Sequence, residues 1–229
     1  MPAHTNLPAA VLWDMDGTLV DTEPYWIAAE LQLSERDGGS WTHADGLTIV
    51  GSELVVAAQQ LRVRGGIKGT DAEIVDDLLQ LVIAQVRTHG IPWRPGAAAA
   101  IQAVRSAGIP CALVTMSYLN LASVIIEALP PGTFSSVITG EIVEHGKPHP
   151  EPYLKAAREL GVAIGDCVAI EDSPTGIASA ETAGAHVLAV KFLVDIPAAP
   201  GRSRVASLES IGIAELCLIA NGTVIDQLI

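Results

Sequence analysis

The predicted fold depends on the stretch Ala9-Ala10-Val11-Leu12-Trp13-Asp14-Met15-Asp16-Gly17-Thr18. Its first half is a continuous apolar run, which predicts a buried strand. Its second half places two carboxylates, Asp14 and Asp16, two residues apart directly after that strand, so that both can point the same way. Open α/β sheets bind their ligands at the carboxyl ends of their strands. The stretch therefore predicts a buried strand that ends in a polar site.

The chain from residue 93 onward alternates between predicted helices and strands. The predicted strands are 111–114, 136–139, 167–170 and 186–190, and the predicted helices are 96–107, 119–129, 151–160 and 175–183. Regular alternation of this kind favours a parallel sheet that is covered by helices on both faces. We therefore predict an α/β fold with a Rossmann-like parallel-sheet core.

An insert of different character follows the first strand. Apolar residues recur at helical spacing in Leu54–Leu61 and in Ile74–Val86, and no convincing strand pattern lies near them. A glycine-rich turn separates the two, and we expect Asp71 to cap the second helix. We predict a small all-helical cap over residues 20–92 and a catalytic core that comprises residues 1–19 and 93–229.

The charge of the chain limits its partners. The 229 residues carry a formal net charge of −13, and 49% of them are apolar, which is enough for a substantial core. A phosphate backbone attracts basic surfaces, so we expect no binding to nucleic acid. We expect a monomer or a weak dimer.

The sequence also bears on the compartment. No apolar run reaches the roughly 18 residues that a membrane span needs, and residues 1–6 lack the pattern of an export signal. Cys111, Cys167 and Cys217 are widely spaced and imply no disulfide framework. We therefore expect a cytoplasmic protein that does not associate with membranes.

Three further polar groups follow later in the chain. Thr115 ends a predicted strand, where its hydroxyl can bind a phosphate oxygen, although a strand-terminal threonine is more often structural. Lys147 lies in a proline-stiffened loop, and its ammonium suits a phosphate or an aspartate, although most lysines are solvated. Glu171 and Asp172 end another strand and suit a hard cation, although Asp172 or its neighbour also suits a helix cap.

The histidines show no spacing that is typical of metal ligands. We expect surface or core positions for them, although two of them flank Lys147. The histidines in question are His43, His89, His145, His149 and His186.

Taken jointly and in this order, the motifs resemble those of the haloacid dehalogenase superfamily of aspartate-nucleophile phosphotransferases. The resemblance covers nearly the whole chain through D-x-D-G-T at 14–18, Thr115, Gly146-Lys147-Pro148, and Glu171–Gly176 continuing to Ala183–Ala185. The helical insert and the segment Asp21-Thr22-Glu23-Pro24 resemble the cap of the β-phosphoglucomutase-like branch.

The resemblance implies a role for each of these residues. Asp14 would be the nucleophile that forms an aspartyl-phosphate. Asp16 would be the general acid and base, and its main-chain carbonyl would bind a Mg²⁺ ion. Asp172 would bind Mg²⁺ directly together with Asp14, and Glu171 would support the ion through water. The phosphoryl group would be bound by Thr115, by the main-chain N–H of Met116, and by Lys147.

The cap departs from the mutase pattern in two places. Trp26 lies where mutases of this branch resemble one another in a histidine, and Gly51–Leu54 lacks the arginine that would bind a distal phosphate. Arg62, Arg64 and Lys68 are cap cations that could replace this arginine. The cap residues that we expect to contact substrate are Trp26, Glu53 and Arg62.

The resemblance therefore implies a Mg²⁺-dependent phosphatase that hydrolyses a small phosphomonoester, such as a sugar phosphate, through an aspartyl-phosphate. The alternatives are a sugar-phosphate mutase of the β-phosphoglucomutase type, a dehalogenase, and a non-catalytic phosphate-binding regulatory protein. A dehalogenase needs neither a metal nor a second catalytic aspartate, so Asp16, Glu171 and Asp172 argue against it. The expected partner is a small phosphorylated metabolite.

Overall fold

The computed structural model describes residues 7–50 and 52–228. Residues 1–6, which the prediction about an export signal concerns, and Gly51, which belongs to the cap segment compared with mutases, lie outside the described residues. Within the described part of the chain, no helix is both long enough and apolar enough to cross a bilayer.

A parallel sheet forms the centre of the fold. Its strands are β1 (Ala10–Trp13), β2 (Cys111–Val114), β3 (Ser136–Ile138), β4 (Cys167–Glu171), β5 (His186–Val190) and β6 (Arg202–Val205). The strand order is β3-β2-β1-β4-β5-β6, with every neighbouring pair parallel. The predicted α/β fold with a Rossmann-like core is confirmed. Because β1 lies between β2 and β4, the carboxyl ends of these three strands are neighbours.

The sequences of the central strands explain why they are buried on both faces. Every residue of β1, β2 and β4 is buried, as is typical of parallel strands that helices cover on both sides. Side chains of β1 alternate between the two faces: Val11 and Trp13 belong to one apolar cluster, and Ala10 and Leu12 to another. This packing fixes the strand that carries Asp14.

Helices cover both faces of the sheet and form the insert. The α-helices of the described residues are α1 (Glu23–Asp37), α2 (His43–Leu47), α3 (Leu54–Val63), α4 (Asp71–His89), α5 (Ala97–Ser106), α6 (Leu119–Glu127), α7 (Glu151–Leu160), α8 (Pro174–Ala183) and α9 (Ile213–Ala220). Tyr153 of α7 and Ile177 of α8 pack on the sheet face that contains Leu12. Ile101 of α5 and Leu216 of α9 belong to the cluster on the other face.

Helices α1–α4 follow β1, as predicted for the insert. The chain enters and leaves it through adjacent segments. The N–H of Asp21 donates to the carbonyl oxygen of Pro92, and the N–H of Arg94 donates to that of Leu19, both at 2.8 Å. The division into a cap at 20–92 and a core stays a prediction.

The observed elements differ from the predicted ones in two places. Thr70 caps α4, because its hydroxyl accepts a hydrogen bond from the N–H of Glu73 and the Glu73 carboxylate accepts one from the N–H of Thr70. The prediction of Asp71 as the cap was therefore wrong by one residue. In addition, β6 and α9 lie beyond the last element that the sequence predicted.

Candidate active site

The polar residues singled out in the sequence meet at the carboxyl end of the sheet. Asp14 follows β1, Thr115 follows β2, and Glu171 and Asp172 lie at the end of β4. Lys147 reaches the same place from the loop that precedes α7. All five residues are buried. Buried polar groups need partners, and the contacts of each show what the site can do.

The ammonium group of Lys147 is bound by three oxygen atoms. Its Nζ donates to Oδ1 of Asp14 at 2.6 Å, to Oε1 of Glu171 at 2.6 Å, and to the carbonyl oxygen of Val114 at 2.9 Å. Burial alone would lower the pKa of Lys147, but the charges of Asp14 and Glu171 raise it above its ordinary value. Lys147 is therefore a fixed positive charge beside Asp14.

Both oxygens of Glu171 are bound by groups of the protein itself. Oε1 also accepts a hydrogen bond from the hydroxyl of Tyr153 at 2.9 Å. Oε2 accepts from the N–H of Asp172 at 3.0 Å and from the N–H and hydroxyl of Ser173 at 3.2 and 3.1 Å. A Cβ atom at Gly176 would collide with this carboxylate. Glu171 thus anchors Lys147 and the first turn of α8.

Hydroxyl groups hold the carboxylate of Asp16. Its Oδ1 accepts a hydrogen bond from Thr22, which is the N-cap residue of α1. Its Oδ2 accepts from Ser117 at 2.6 Å and more weakly from Thr115 at 3.5 Å. Asp16 is therefore bound to both the insert and the loop after β2, and its partners differ in kind from those of Asp14.

Asp172 packs against the turn that follows β1. The hydroxyl of Thr18 donates to Oδ1 of Asp172 at 3.0 Å. Gly17 has a φ of +88°, and a Cβ atom at this residue would collide with the Asp172 carboxylate. Glycine alone allows both this backbone conformation and this close approach, so the D-x-D-G-T sequence brings Asp172 next to Asp14.

Negative charge exceeds positive charge in the site, because one ammonium group, that of Lys147, lies among four acidic side chains. These side chains are Asp14, Asp16, Glu171 and Asp172. Burial, followed by the charge of Glu171, raises the pKa of Asp14 to about 7, although Lys147 opposes this shift. Burial, followed by the charges of Asp14 and Glu171, raises the pKa of Asp172 well above its usual range. A further positive charge would stabilise the ionised carboxylates.

The donor atoms suit a divalent cation. Carboxylate oxygens of Asp14, Glu171 and Asp172 lie within 4.8 Å of one another. Oδ2 of Asp14 is buried and has no hydrogen-bond partner in the described part of the chain. Carboxylate oxygens are the usual ligands of hard divalent cations. Since protein donors already bind Glu171, the carboxylates of Asp14 and Asp172 are the ones left to bind an ion.

A family model for haloacid dehalogenase-like hydrolases matches residues 8–184. The chain belongs to this family. Hexitol phosphatase A of Escherichia coli (strain K12) is 34% identical over 197 residues, which are 81% of this chain and 84% of that protein. The phosphorylated carbohydrates phosphatase of Thermotoga maritima is 28% identical over 180 residues, 76% of this chain and 81% of that protein. The crystal structure of CbbY from Rhodobacter sphaeroides in complex with phosphate has a TM-score of 0.81 at 27% identity, covering 92% of this chain and 99% of that one.

The family and these relatives confirm the predicted class of enzyme, a phosphoric monoester hydrolase. In this haloacid dehalogenase-like hydrolase, a cavity of about 460 Å³ lies above the carboxylates. Core residues line the cavity together with residues of α1 and α3. The lining residues that the sequence analysis named are Asp14, Asp16, Trp26, Glu53, Thr115, Met116, Lys147 and Asp172.

The cap cations lie elsewhere. Arg62, which the sequence analysis placed in contact with substrate, pairs with Asp71 at 2.7 Å and is not among the described lining residues. Arg64 pairs with Asp45 at 2.9 Å and covers the ring of Trp41. Among the described residues that line the cavity, Lys147 is the only one with a cationic side chain.

Two histidines approach each other contrary to our expectation. His145, His149 and Glu151 offer ligand atoms within 4.8 Å of one another, although the sequence spacing suggested no such group. Nδ1 of His145 lies 3.1 Å from Oε2 of Glu151. The turn that carries Lys147 brings these three side chains together. The sequence spacing alone did not indicate that the chain turns here.

Several residues of the site were not predicted from the sequence, among them Ser117, Glu23 and Glu30. Ser117 binds Asp16, and Glu23 and Glu30 line the cavity. Ser117 lies two residues after Thr115, which was a usable signal. Glu23 and Glu30 are seven residues apart on α1 with Trp26 between them, a spacing that places all three on one helix face. Acids on a helix usually face solvent, so this spacing alone did not mark them.

Proposed function

We propose that the chain is a Mg²⁺-dependent phosphatase that hydrolyses a small phosphorylated carbohydrate or polyol through an aspartyl-phosphate on Asp14. One observation carries the mechanism: two carboxylates on one cavity have different partners. Asp14 is bound to the ammonium of Lys147, and Asp16 is bound to hydroxyl groups. Such a difference suits one carboxylate to nucleophilic attack and the other to proton transfer.

The reaction then proceeds in two displacements. A carboxylate oxygen of Asp14 attacks phosphorus, the bond from phosphorus to the ester oxygen breaks, and Asp16 protonates the departing alcohol. In the second step Asp16 removes a proton from water, whose oxygen attacks phosphorus. Inorganic phosphate leaves and the carboxylate of Asp14 is regenerated. The residues that hold the phosphoryl group are Thr115, the main-chain N–H of Met116, and Lys147.

The acidic cluster supports a role for Mg²⁺. Asp14 and Asp172, with the main-chain carbonyl of Asp16 that the family resemblance implies, would hold the ion. When bound, it supplies positive charge that reduces the repulsion between a phosphate dianion and the carboxylates. In place of the water-mediated role predicted for Glu171, we propose that this residue positions Lys147, because both its oxygens have protein partners.

The substrate class comes from the relatives and the cavity. Two relatives are named for phosphorylated hexitols and phosphorylated carbohydrates. The cavity of about 460 Å³ has space for a ligand of this size. A rigid, buried Lys147–Asp14 pair binds the phosphate end, and the insert covers the remainder of the ligand.

Hydrolysis of p-nitrophenyl phosphate tests this proposal. We expect turnover with Mg²⁺, loss of turnover with EDTA, and recovery when Mg²⁺ is restored. Ca²⁺ should support turnover poorly, because its larger and looser coordination misaligns Asp14 and phosphorus. Full turnover after exhaustive chelation would contradict the proposal and would favour a metal-independent reaction.

A matched pair of variants tests the nucleophile. Asp14→Asn should abolish both turnover and covalent labelling by phosphate, because an amide is a poor nucleophile. Asp76→Asn makes the same change on the exposed side of α4 and should leave turnover unchanged. Phosphate binding without turnover in the native chain would support the non-catalytic alternative instead.

A further inference from the structure

Three acidic side chains of the insert line the cavity, namely Glu23, Glu30 and Glu53. Glu23, Trp26 and Glu30 of α1 have the spacing i, i+3, i+7, so they lie on one face of the helix, and all three line the cavity above Asp14 and Lys147. Glu53, the N-cap residue of α3, adds a third carboxyl group at the exposed side. The lining that the insert contributes to the cavity is therefore rich in acidic groups.

These carboxyl groups have hydrogen-bonding capacity to spare. Glu30 is buried, and only its Oε2 has a described partner, the indole N–H of Trp41 at 2.9 Å. No side chain in the described part of the chain donates a hydrogen bond to Glu23. A carboxyl group accepts hydrogen bonds when ionised and can also donate one when protonated. In either state, these groups can bind the hydroxyl groups of a ligand.

Burial strengthens the tendency of these carboxyl groups to bind a hydroxyl group. Burial, followed by the charges of Asp16 and Glu30, raises the pKa of Glu23 to about 8. Burial raises the pKa of Glu30 to about 7, although the bond from Trp41 opposes the shift. The apolar side chains of Trp26, Ile49 and Leu54 line the same cavity as these acidic groups. Buried carboxyl groups have lost hydrogen bonds to water, and a hydroxyl group of the ligand that replaced these bonds would bind well.

The same surface is unfavourable for an anion. Lys147 is the one cationic lining residue among those described, and it is already bound to Asp14, Glu171 and Val114. The insert's arginines at 62 and 64 are paired outside the cavity. A second anionic group on the substrate would lose its hydration in a cavity that offers no free cation to bind it, and it would also be repelled by whichever of these carboxyl groups is ionised.

We propose that Glu23, Glu30 and Glu53 form a subsite for the leaving alcohol that binds hydroxyl groups and rejects a second anionic group. The substrates are then monophosphates of uncharged polyhydroxy compounds, whereas bisphosphates and phosphorylated sugar acids are excluded. This inference rests on the proposed function for its place in catalysis, and it extends that function by assigning the part of the substrate that the phosphate site does not bind.

The test uses two substrates that differ only at one end. Glucitol 6-phosphate and 6-phosphogluconate are open six-carbon chains with a hydroxymethyl group and a carboxylate, respectively, at C1. We expect kcat/KM to favour glucitol 6-phosphate by at least about tenfold, the equivalent of about 1.4 kcal/mol. Calorimetric titration of Asp14→Asn, which cannot form the aspartyl-phosphate, should show the same preference in Kd. Equal values for the two ligands, or no detectable binding of either, would overturn the subsite.

Variants connect the preference to these residues. The double variant Glu23→Gln, Glu30→Gln should reduce the ratio at least about threefold, mainly because 6-phosphogluconate improves. Glu53→Gln, at the exposed end of the subsite, provides a smaller change if the double variant does not fold. Glu35→Gln makes the same change on the exposed face of α1 and should leave the ratio as it is. A subsite variant that changes the ratio no more than this control contradicts the assignment.

The binding data separate the two proposals. If the native chain releases phosphate from neither ligand while Asp14→Asn still prefers glucitol 6-phosphate, the proposed phosphatase activity on these compounds fails and the subsite stands. If both ligands are hydrolysed equally well, the phosphatase stands and the subsite fails.

Discussion

Asp16 illustrates how the function of one residue depends on its neighbours. Thr22 and Ser117 bind its two oxygens, and both hydroxyls can either donate or accept a hydrogen bond. Asparagine can therefore replace Asp16 without leaving a buried group unpaired. We expect Asp16→Asn to fold normally and to lower kcat by about 10²–10⁴-fold, because proton transfer is lost. Steady-state kinetics with an alkyl phosphate, whose leaving alcohol needs a proton, measure this loss.

The Asp16→Asn variant should also accumulate an intermediate that can be detected. Because Asp14 is intact, slow formation and slower hydrolysis should leave a detectable aspartyl-phosphate, whereas Asp14→Asn should form none. Acid quench and phosphate analysis distinguish the two. An unchanged kcat in Asp16→Asn would show that another group transfers the proton.

Glu30 makes stability depend on pH. Its folded-state pKa of about 7 exceeds its ordinary value of 4.5, so the unfolded chain ionises first as pH rises. Glu30 therefore leaves stability unaffected below about pH 4.5 and lowers it progressively up to about pH 7. Glutamine keeps an acceptor for Trp41 and does not ionise. We expect the free energy of unfolding of Glu30→Gln, relative to the native chain, to rise by about 1–3 kcal/mol between pH 5 and pH 8.

Urea denaturation at the two pH values measures this difference. Glu35→Gln on the exposed face of the same helix is the control, and its difference from the native chain should stay constant. Parallel pH profiles for Glu30→Gln and the native chain would mean that Glu30 is already ionised at pH 5.

The sequence singled out the polar residues that meet at the carboxyl end of the sheet, but in the insert it singled out Trp26 and Glu53 and not Glu23 or Glu30. Asp14, Asp16 and Asp172 follow apolar strands, and strand ends are where a parallel sheet binds ligands. Glu23 lies on a helix that also carries exposed polar residues such as Gln32 and Glu35, so its position in a cavity depends on how the helix packs against the core. That packing is a tertiary property, and no local pattern specifies it.

At the scale of elements, the strands from β1 to β5 were predictable from the sequence and the edge strand β6 was not. β1, β2 and β4 are short apolar runs that end at charged or hydroxyl residues. β6 reads Arg-Ser-Arg-Val, and its arginines pair with Glu181 and Asp226. An edge strand needs to bury only part of its surface, so its polar sequence does not distinguish it from a loop.

The start of α8 provides a test at this scale. Glycine within a helix is usually improved by alanine, by about 1 kcal/mol. Here a methyl group at Gly176 would collide with the carboxylate of Glu171, which anchors Lys147. We expect Gly176→Ala to lower the free energy of unfolding by about 1–3 kcal/mol and to reduce kcat/KM at least about tenfold.

Thr182→Ala is the matched control, since Thr182 lies on the exposed face of the same helix. It should preserve activity and leave stability equal or slightly higher. Chemical denaturation and kinetics of both variants distinguish the outcomes. A stable and fully active Gly176→Ala protein would show that Glu171 can move without consequence for Lys147.

At the scale of the whole molecule, the arrangement of cations distinguishes a phosphatase from a mutase. A mutase must bind a bisphosphate by both ends and turn it round over the nucleophile. Here the core supplies Lys147, while the insert's Arg62 and Arg64 are engaged with Asp71 and Asp45. The insert instead faces the cavity with acidic groups and with Trp26. Water is therefore the expected acceptor of the phosphoryl group.

³¹P NMR of the chain with β-glucose 1-phosphate, a trace of glucose 1,6-bisphosphate and Mg²⁺ tests this expectation. We expect inorganic phosphate or no reaction, and rapid accumulation of glucose 6-phosphate without phosphate release would identify a mutase. Glu53→Arg offers a complementary measurement, because it places a guanidinium at the exposed side of the cavity. This variant should bind glucose 1,6-bisphosphate more tightly than the native chain does, since it supplies the cation that the distal phosphate lacks. If it does not, the distal phosphate lies beyond the reach of residue 53, and the charge of the α1 face alone determines which substrates are excluded.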